Sequence, residues 1–162
     1  MRQLLIIDDE KNIRHGLQVM IEREFPGHYA IRCARHGAEG LEMLHELAAD
    51  IIITDIRMPV LDGITMLEQL RASSEVLQQP QVIVLSGHDD FEYAKAAIRY
   101  QVREYLLKPI RRDDLFEALK GLEKELTRQQ SLSQRLEDAD LYQRQWQEEQ
   151  LSRWLEAPAE EA

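Results

Sequence analysis

Thr54-Asp55-Ile56-Arg57-Met58-Pro59-Val60-Leu61-Asp62-Gly63, residues 54–63, follows the unbroken β-branched run Ile51-Ile52-Ile53. Such a run reads as a strand buried on both faces, the pattern of a parallel sheet with helices on each side. Asp55 then stands where that strand ends, and in an open parallel sheet the carboxyl ends of the strands form the ligand crevice. Pro59 disfavours helix at Met58, and Asp62-Gly63 restarts the chain as the N-cap of a helix. Aspartates also close strand-to-helix loops without any chemical role, so Asp55 alone decides little.

Three further stretches end in the same way. Asp8-Asp9-Glu10 follows Leu4-Leu5-Ile6-Ile7, Ser86-Gly87 follows Val82-Ile83-Val84-Leu85, and Lys108-Pro109 follows Tyr105-Leu106-Leu107. If these strands are parallel neighbours, Asp8, Asp9, Asp55, Ser86 and Lys108 meet at one sheet edge. Taken singly, Lys108 is a surface lysine, Ser86 a turn residue, and Asp8-Asp9 a helix cap favoured by the dipole. Taken together they make a phosphoryl-transfer site. Clustered carboxylates repel and hold protons unless a cation joins them. Oxygen-only ligands suit Mg²⁺, with Mn²⁺ as a substitute, and Asp8 or Asp9, Asp55 and the backbone carbonyl of Arg57 are the expected donors. Asp55, central in the crevice, is the expected nucleophile through an acyl phosphate. Lys108 neutralises charge on the transferring group and Ser86 donates a hydrogen bond to it.

Outward from this core, strand-like and helix-like patterns alternate. Ile13, Leu17, Met20 and Ile21 share a helical face closed by Pro26-Gly27, and Tyr29–Ala34 is a second strand. Leu41, Leu44, Leu47 and Ala48 mark a second helix, 50–54 the third strand, and Ile64, Leu67 and Leu70 a third helix. After the polar loop 73–80 come a strand at 81–86 and a helix capped by Asp89 or Asp90, with Ala94, Ala97 and Ile98 inward. A strand at 104–107 precedes a helix begun by Asp113-Asp114. Five strands alternating with five helices predict a doubly wound α/β fold, a flavodoxin-like parallel sheet of order 2-1-3-4-5.

Residues 1–125 are expected to form this domain and 126–162 a helical linker or coiled coil. Leu115, Leu119, Leu122 and Leu126 keep a 4-3-4 spacing, but Gln129 and Ser133 take the next seam positions. Two tryptophans, Trp146 and Trp154, lie on this polar stretch and call for a covering surface. One helix overrunning the domain, or two with a break, fits the absence of Gly and Pro between Gly121 and Pro158.

Composition bounds the rest. The 162 residues are 44% hydrophobic, enough for a core, and the net charge of −10 argues against a grip on nucleic acid. Cys33 is the lone cysteine, as in a reduced cytosolic protein, and no apolar run approaches a membrane span or a signal core. The expected setting is cytoplasmic.

Residues 3 to about 125 resemble the receiver domain of bacterial two-component response regulators. The resemblance rests on Asp8-Asp9-Glu10, Asp55 within Thr54–Pro59, Leu61-Asp62-Gly63, Ser86-Gly87 and Lys108-Pro109. It implies that Asp55 takes a phosphoryl group from a sensor histidine kinase, with Asp8, Asp9 and Asp55 around Mg²⁺. It implies too that Ser86 and Tyr105 form a switch pair altering the face of the fourth helix, fifth strand and fifth helix, and that the Lys108–Pro109 peptide is cis. Enzymatic activity beyond self-phosphorylation and self-dephosphorylation is not expected. The stretches 85–95 and 105–110 are similar to the subgroup that precedes an AraC-type helix-turn-helix output domain, with His88 where an aromatic residue is more usual. No basic helix-turn-helix follows here: residues 128–162 hold four Arg against eight Asp and Glu. A fragment of a longer transcription regulator is therefore expected, touching DNA only through an absent output domain, and a homodimer through the fifth helix and its extension. The alternative is a stand-alone receiver acting on a protein partner. A phosphatase resembling the haloacid dehalogenase group would need a second acid two residues after Asp55, where Arg57 stands. A flavin module would want a phosphate-cradling loop in place of Asp8-Asp9.

Overall fold

The computed structural model describes residues 1–87 and 91–156, the Phe91 side chain excepted. Five strands alternate with five helices: β1 (Arg2–Ile7), α1 (Lys11–Glu24), β2 (Tyr29–Ala34), α2 (Gly37–Glu46), β3 (Ile51–Asp55), α3 (Gly63–Ala72), β4 (Gln81–Ser86), α4 (Phe91–Arg99), β5 (Glu104–Leu107) and α5 (Arg112–Glu156). All four pairings are parallel, in the order β2-β1-β3-β4-β5. Two compact units result, Met1–Leu122 and a second from Glu123 onward.

Burial follows the apolar runs. Leu4–Ile7, Ile51–Ile53 and Val82–Val84 are fully buried, and at about 1.5–3 kcal/mol per such side chain these three strands dominate the core. Leu17 and Ile21 of α1, Leu44 of α2 and Met66, Leu67 and Leu70 of α3 cover the sheet. Phe25 meets Phe116 edge to face at 5.6 Å between ring centres, joining the end of α1 to the first turns of α5.

Register brings the strand ends together. Ile7 pairs with Thr54, Asp55 with Leu85, and Ser86 with Leu107. One residue further, Asp8 stands beside Asp55, and Lys108 follows the partner of Ser86. Asp62 caps α3, its Oδ1 accepting from Thr65 N at 2.7 Å. The Lys108–Pro109 peptide is cis.

Some expectations shift. Helix α2 ends at Glu46, so Leu47 is its C-cap and Ala48 lies exposed beyond it, because the chain there already turns extended toward β3. On α4, Ala97 is buried and Ala94 half-buried, but Ile98 is 80% exposed. The inner face runs instead through Tyr93, Ala97 and Tyr100, at i, i+4 and i+7, and Ile98 lies ~100° around the helix from Ala97. Asp89, Asp90 and His88 lie outside the described residues. The trailing stretch is one unbroken helix to Glu156.

Candidate functional site

Asp55 is the last residue of β3, 6% exposed, and two hydrogen bonds fix the turn that follows it. Ile56 N–H donates to Asp55 Oδ1 at 2.8 Å, and Gly63 N–H donates to the Ile56 carbonyl at 2.7 Å. A side chain at position 63 would run into the Asp55 backbone carbonyl, so only glycine lets α3 start this close to the strand end. Between these anchors Leu61 N–H donates to the Pro59 carbonyl at 2.8 Å across Val60, whose φ is 71°. That is a γ-turn of the rare positive-φ kind, centred on a β-branched residue.

Asp8, fully buried, offers its Oδ1 to Glu10 N–H at 2.9 Å. Its Oδ2 and Asp55 Oδ2 share one cation: Lys108 Nζ lies 3.3 Å from the first and 3.1 Å from the second. Asp9 is exposed, and Asp8, Asp9 and Asp55 each present a carboxylate oxygen within 4.8 Å of the others. Burial, and secondarily the Asp55 charge, raise the Asp8 pKa although the Glu10 amide and Lys108 pull it down. Burial would lower the Lys108 pKa, but the carboxylates of Asp8 and Asp55 outweigh it and the value is raised. An acidic, oxygen-only cluster of this kind, facing a single ammonium and open on the Asp9 side, fits a hard divalent cation such as Mg²⁺.

Ser86 ends β4, buried, and its carbonyl accepts from Lys108 N–H at 2.7 Å, which ties the lysine to the serine's strand. Tyr105 lies in β5, half-buried against the core. Arg57, expected to contribute only its carbonyl, lines a cleft of about 370 Å³ with Asp9, Ile56, Met58, Pro59, Asp62 and Tyr93. Its side chain does more than that expectation allowed. Arg57 Nε donates to the Tyr93 hydroxyl at 3.0 Å, and the guanidinium carbon lies 5.6 Å from the ring centre. One sequence signal pointed there: Arg57 is the sole charge between Asp55 and Asp62.

Residues 4–120 match the response regulator receiver domain. The chain is 39% identical over 129 residues to the uncharacterized transcriptional regulatory protein YesN of Bacillus subtilis, covering 80% of this chain and 34% of that protein. It is 38% identical over 131 residues to the transcriptional regulatory protein HptR of Staphylococcus aureus, covering 81% of this chain and 50% of the relative. The chain thus spans a third to a half of the length of these curated relatives. Among solved structures, the N-terminal domain of an uncharacterized protein from Wolinella succinogenes superposes with a TM-score of 0.70 at 33% identity, covering 80% of this chain and 99% of that one.

Proposed function

Because the chain belongs to the response regulator receiver family, we propose that it is a phosphorylation-controlled switch whose Asp55 accepts a phosphoryl group from the phosphohistidine of a sensor kinase. The observation that carries this is the Lys108 ammonium held between Asp8 and Asp55 at the carboxyl ends of the strands. Asp55 Oδ1 is engaged by the Ile56 amide, which leaves Oδ2, on the Lys108 side, to attack phosphorus. The new O–P bond forms as the donor's N–P bond breaks, and the imidazole leaves. Lys108 follows the charge onto the phosphoryl oxygens, and Ser86 donates its hydroxyl to one of them. Asp8, Asp9, Asp55 and the Arg57 carbonyl would hold Mg²⁺, which when bound neutralises charge on the phosphoryl group. Its chemistry is limited to accepting and losing this group.

The output is read from the relatives, two of which are named as transcriptional regulatory proteins. This chain would control DNA binding through a further domain, of AraC type on the resemblance of residues 85–95. The trailing helix would pair with a second copy in the cytoplasm. Leu132, Leu136, Tyr142, Trp146 and Trp154 are all exposed and fall within about a third of the helix circumference. No helix among the described residues is long and apolar enough to cross a membrane.

Incubation with acetyl phosphate and Mg²⁺ tests the switch itself. The wild-type chain should gain one phosphoryl group by intact mass and Asp55→Asn none. Equal labelling of the two would sink the assignment. Light scattering with and without beryllofluoride reads the pairing, and a monomer under both conditions would exclude it.

A further inference from the structure

Helix α4 is fastened at both ends by arginines from outside it. At its end, Arg71 of α3 donates to the Tyr100 carbonyl at 2.9 Å and the Gln101 carbonyl at 3.2 Å. It also donates to Gln79 Oε1 at 3.0 Å and the Pro80 carbonyl at 3.1 Å. At its start, Arg57 holds Tyr93 by one exposed hydrogen bond and a ring contact. The two fastenings are unequal. Arg71 has four acceptors, whereas Arg57 has a neutral phenol, and none of the ion pairs among the described residues involves Arg57. Yet Arg57 stands two residues from Asp55 and lines the cleft that Asp9 also lines.

We propose that Arg57 is a phosphate sensor that trades Tyr93 for the phosphoryl group on Asp55 and so frees the first turn of α4, while Arg71 retains the last. This rests on Asp55 being the phosphoacceptor. A ligand shifts an equilibrium only by its differential interaction with the two states. An aspartyl phosphate brings about two negative charges and three acceptor oxygens, and a charge-assisted, bidentate contact to guanidinium exceeds a bond to a neutral hydroxyl. The displacement therefore runs toward phosphate, and α4 turns about its Arg71 end. Arg57 acts through Tyr93 on the helix and takes no part in bond making.

Arginine side-chain NMR on the full chain with Mg²⁺, titrated with beryllofluoride, tests this. The Arg57 Nε–H resonance should move strongly and that of Arg71 little, alongside the Ser86 amide as reporter of site occupancy. A shifted Ser86 with an unmoved Arg57 overturns the proposal and leaves the phosphoacceptor reading standing. If neither moves, that reading fails and takes the proposal with it. Tyr93→Phe, which keeps the ring and removes the acceptor, gives a second readout. Its Glu92–Ala94 amides should lie, without beryllofluoride, part-way toward their activated positions in wild type. Amides at the resting positions contradict the exchange.

Discussion

Lys108 Nζ lies 3.1 Å from Asp55 Oδ2, joining the loop after β5 to the end of β3 across the intervening strand β4. The same ammonium is 3.3 Å from Asp8, so one cation serves two buried carboxylates. Replacing it should matter more for transfer than for folding. Lys108→Gln is expected to slow phosphorylation by acetyl phosphate on the order of a hundredfold to a thousandfold, the usual effect of losing one donor that stabilises a developing oxyanion. Pulse labelling against time measures it, and an unchanged rate would remove Lys108 from the transfer.

The raised Lys108 pKa also sets a pH window. A cation whose folded pKa exceeds its ordinary 10.5 contributes stability that is fully present below that value and lost as pH rises through the folded one. Denaturation between pH 9 and 12 should show wild type losing, in the alkaline part of that range, an advantage that Lys108→Gln never had.

Asp8 points the other way. Its burial raises the pKa, so its contribution is present below the ordinary 3.8 and lost as pH rises through the folded value. At neutral pH the charged side chain is therefore a liability in the metal-free protein. Asp8→Asn should be more stable than wild type by on the order of 1 kcal/mol without divalent cation, with a gap that widens from pH 4 to 7. Added Mg²⁺ should raise the melting temperature of wild type and leave Asp8→Asn nearly unmoved, and EDTA should restore the difference.

Gly63 and Val60 make opposite predictions about one loop. Gly63→Ala forces a methyl group onto the Asp55 carbonyl, so it should cost about 1–3 kcal/mol in urea denaturation and impair phosphorylation as well. Val60, 80% exposed, holds a φ of 71° without packing to repay the strain. Val60→Gly should stabilise by about 1 kcal/mol, since relief of a positive-φ side chain exceeds the added entropy of the unfolded glycine. Destabilisation instead would mean that Val60 is held there by contacts made in the folded state.

The fold was legible because its strands are continuous apolar runs. Ile51–Ile53 and Val82–Leu85 admit burial on both faces and little else, and the residue after each run then had to lie at one edge. Asp8, Asp9 and Asp55 cluster as the spacing required, since strand register carries them there. Local periodicity served the helices less well. Ile98 fits an inward spacing with Ala94 and Ala97, yet the larger Tyr93 and Tyr100 take the inner face. The Arg57–Tyr93 bond joins residues 36 apart in sequence through a neutral hydroxyl, so the lone charge marks Arg57 and nothing in the pattern marks its partner. The Val60 turn was hidden for a related reason. A β-branched residue argues against positive φ, and only closure of the loop at Gly63 imposes it.

The central claim concerns which one carboxylate takes the phosphoryl group. The most direct measurement is to phosphorylate the chain with acetyl phosphate and Mg²⁺, trap the acyl phosphate by borohydride reduction to homoserine, and locate that residue by peptide mass mapping. Homoserine at position 55, dependent on Mg²⁺, is the expected result. Homoserine at Asp8, Asp9 or another carboxylate, or none in the presence of Mg²⁺, would contradict the account.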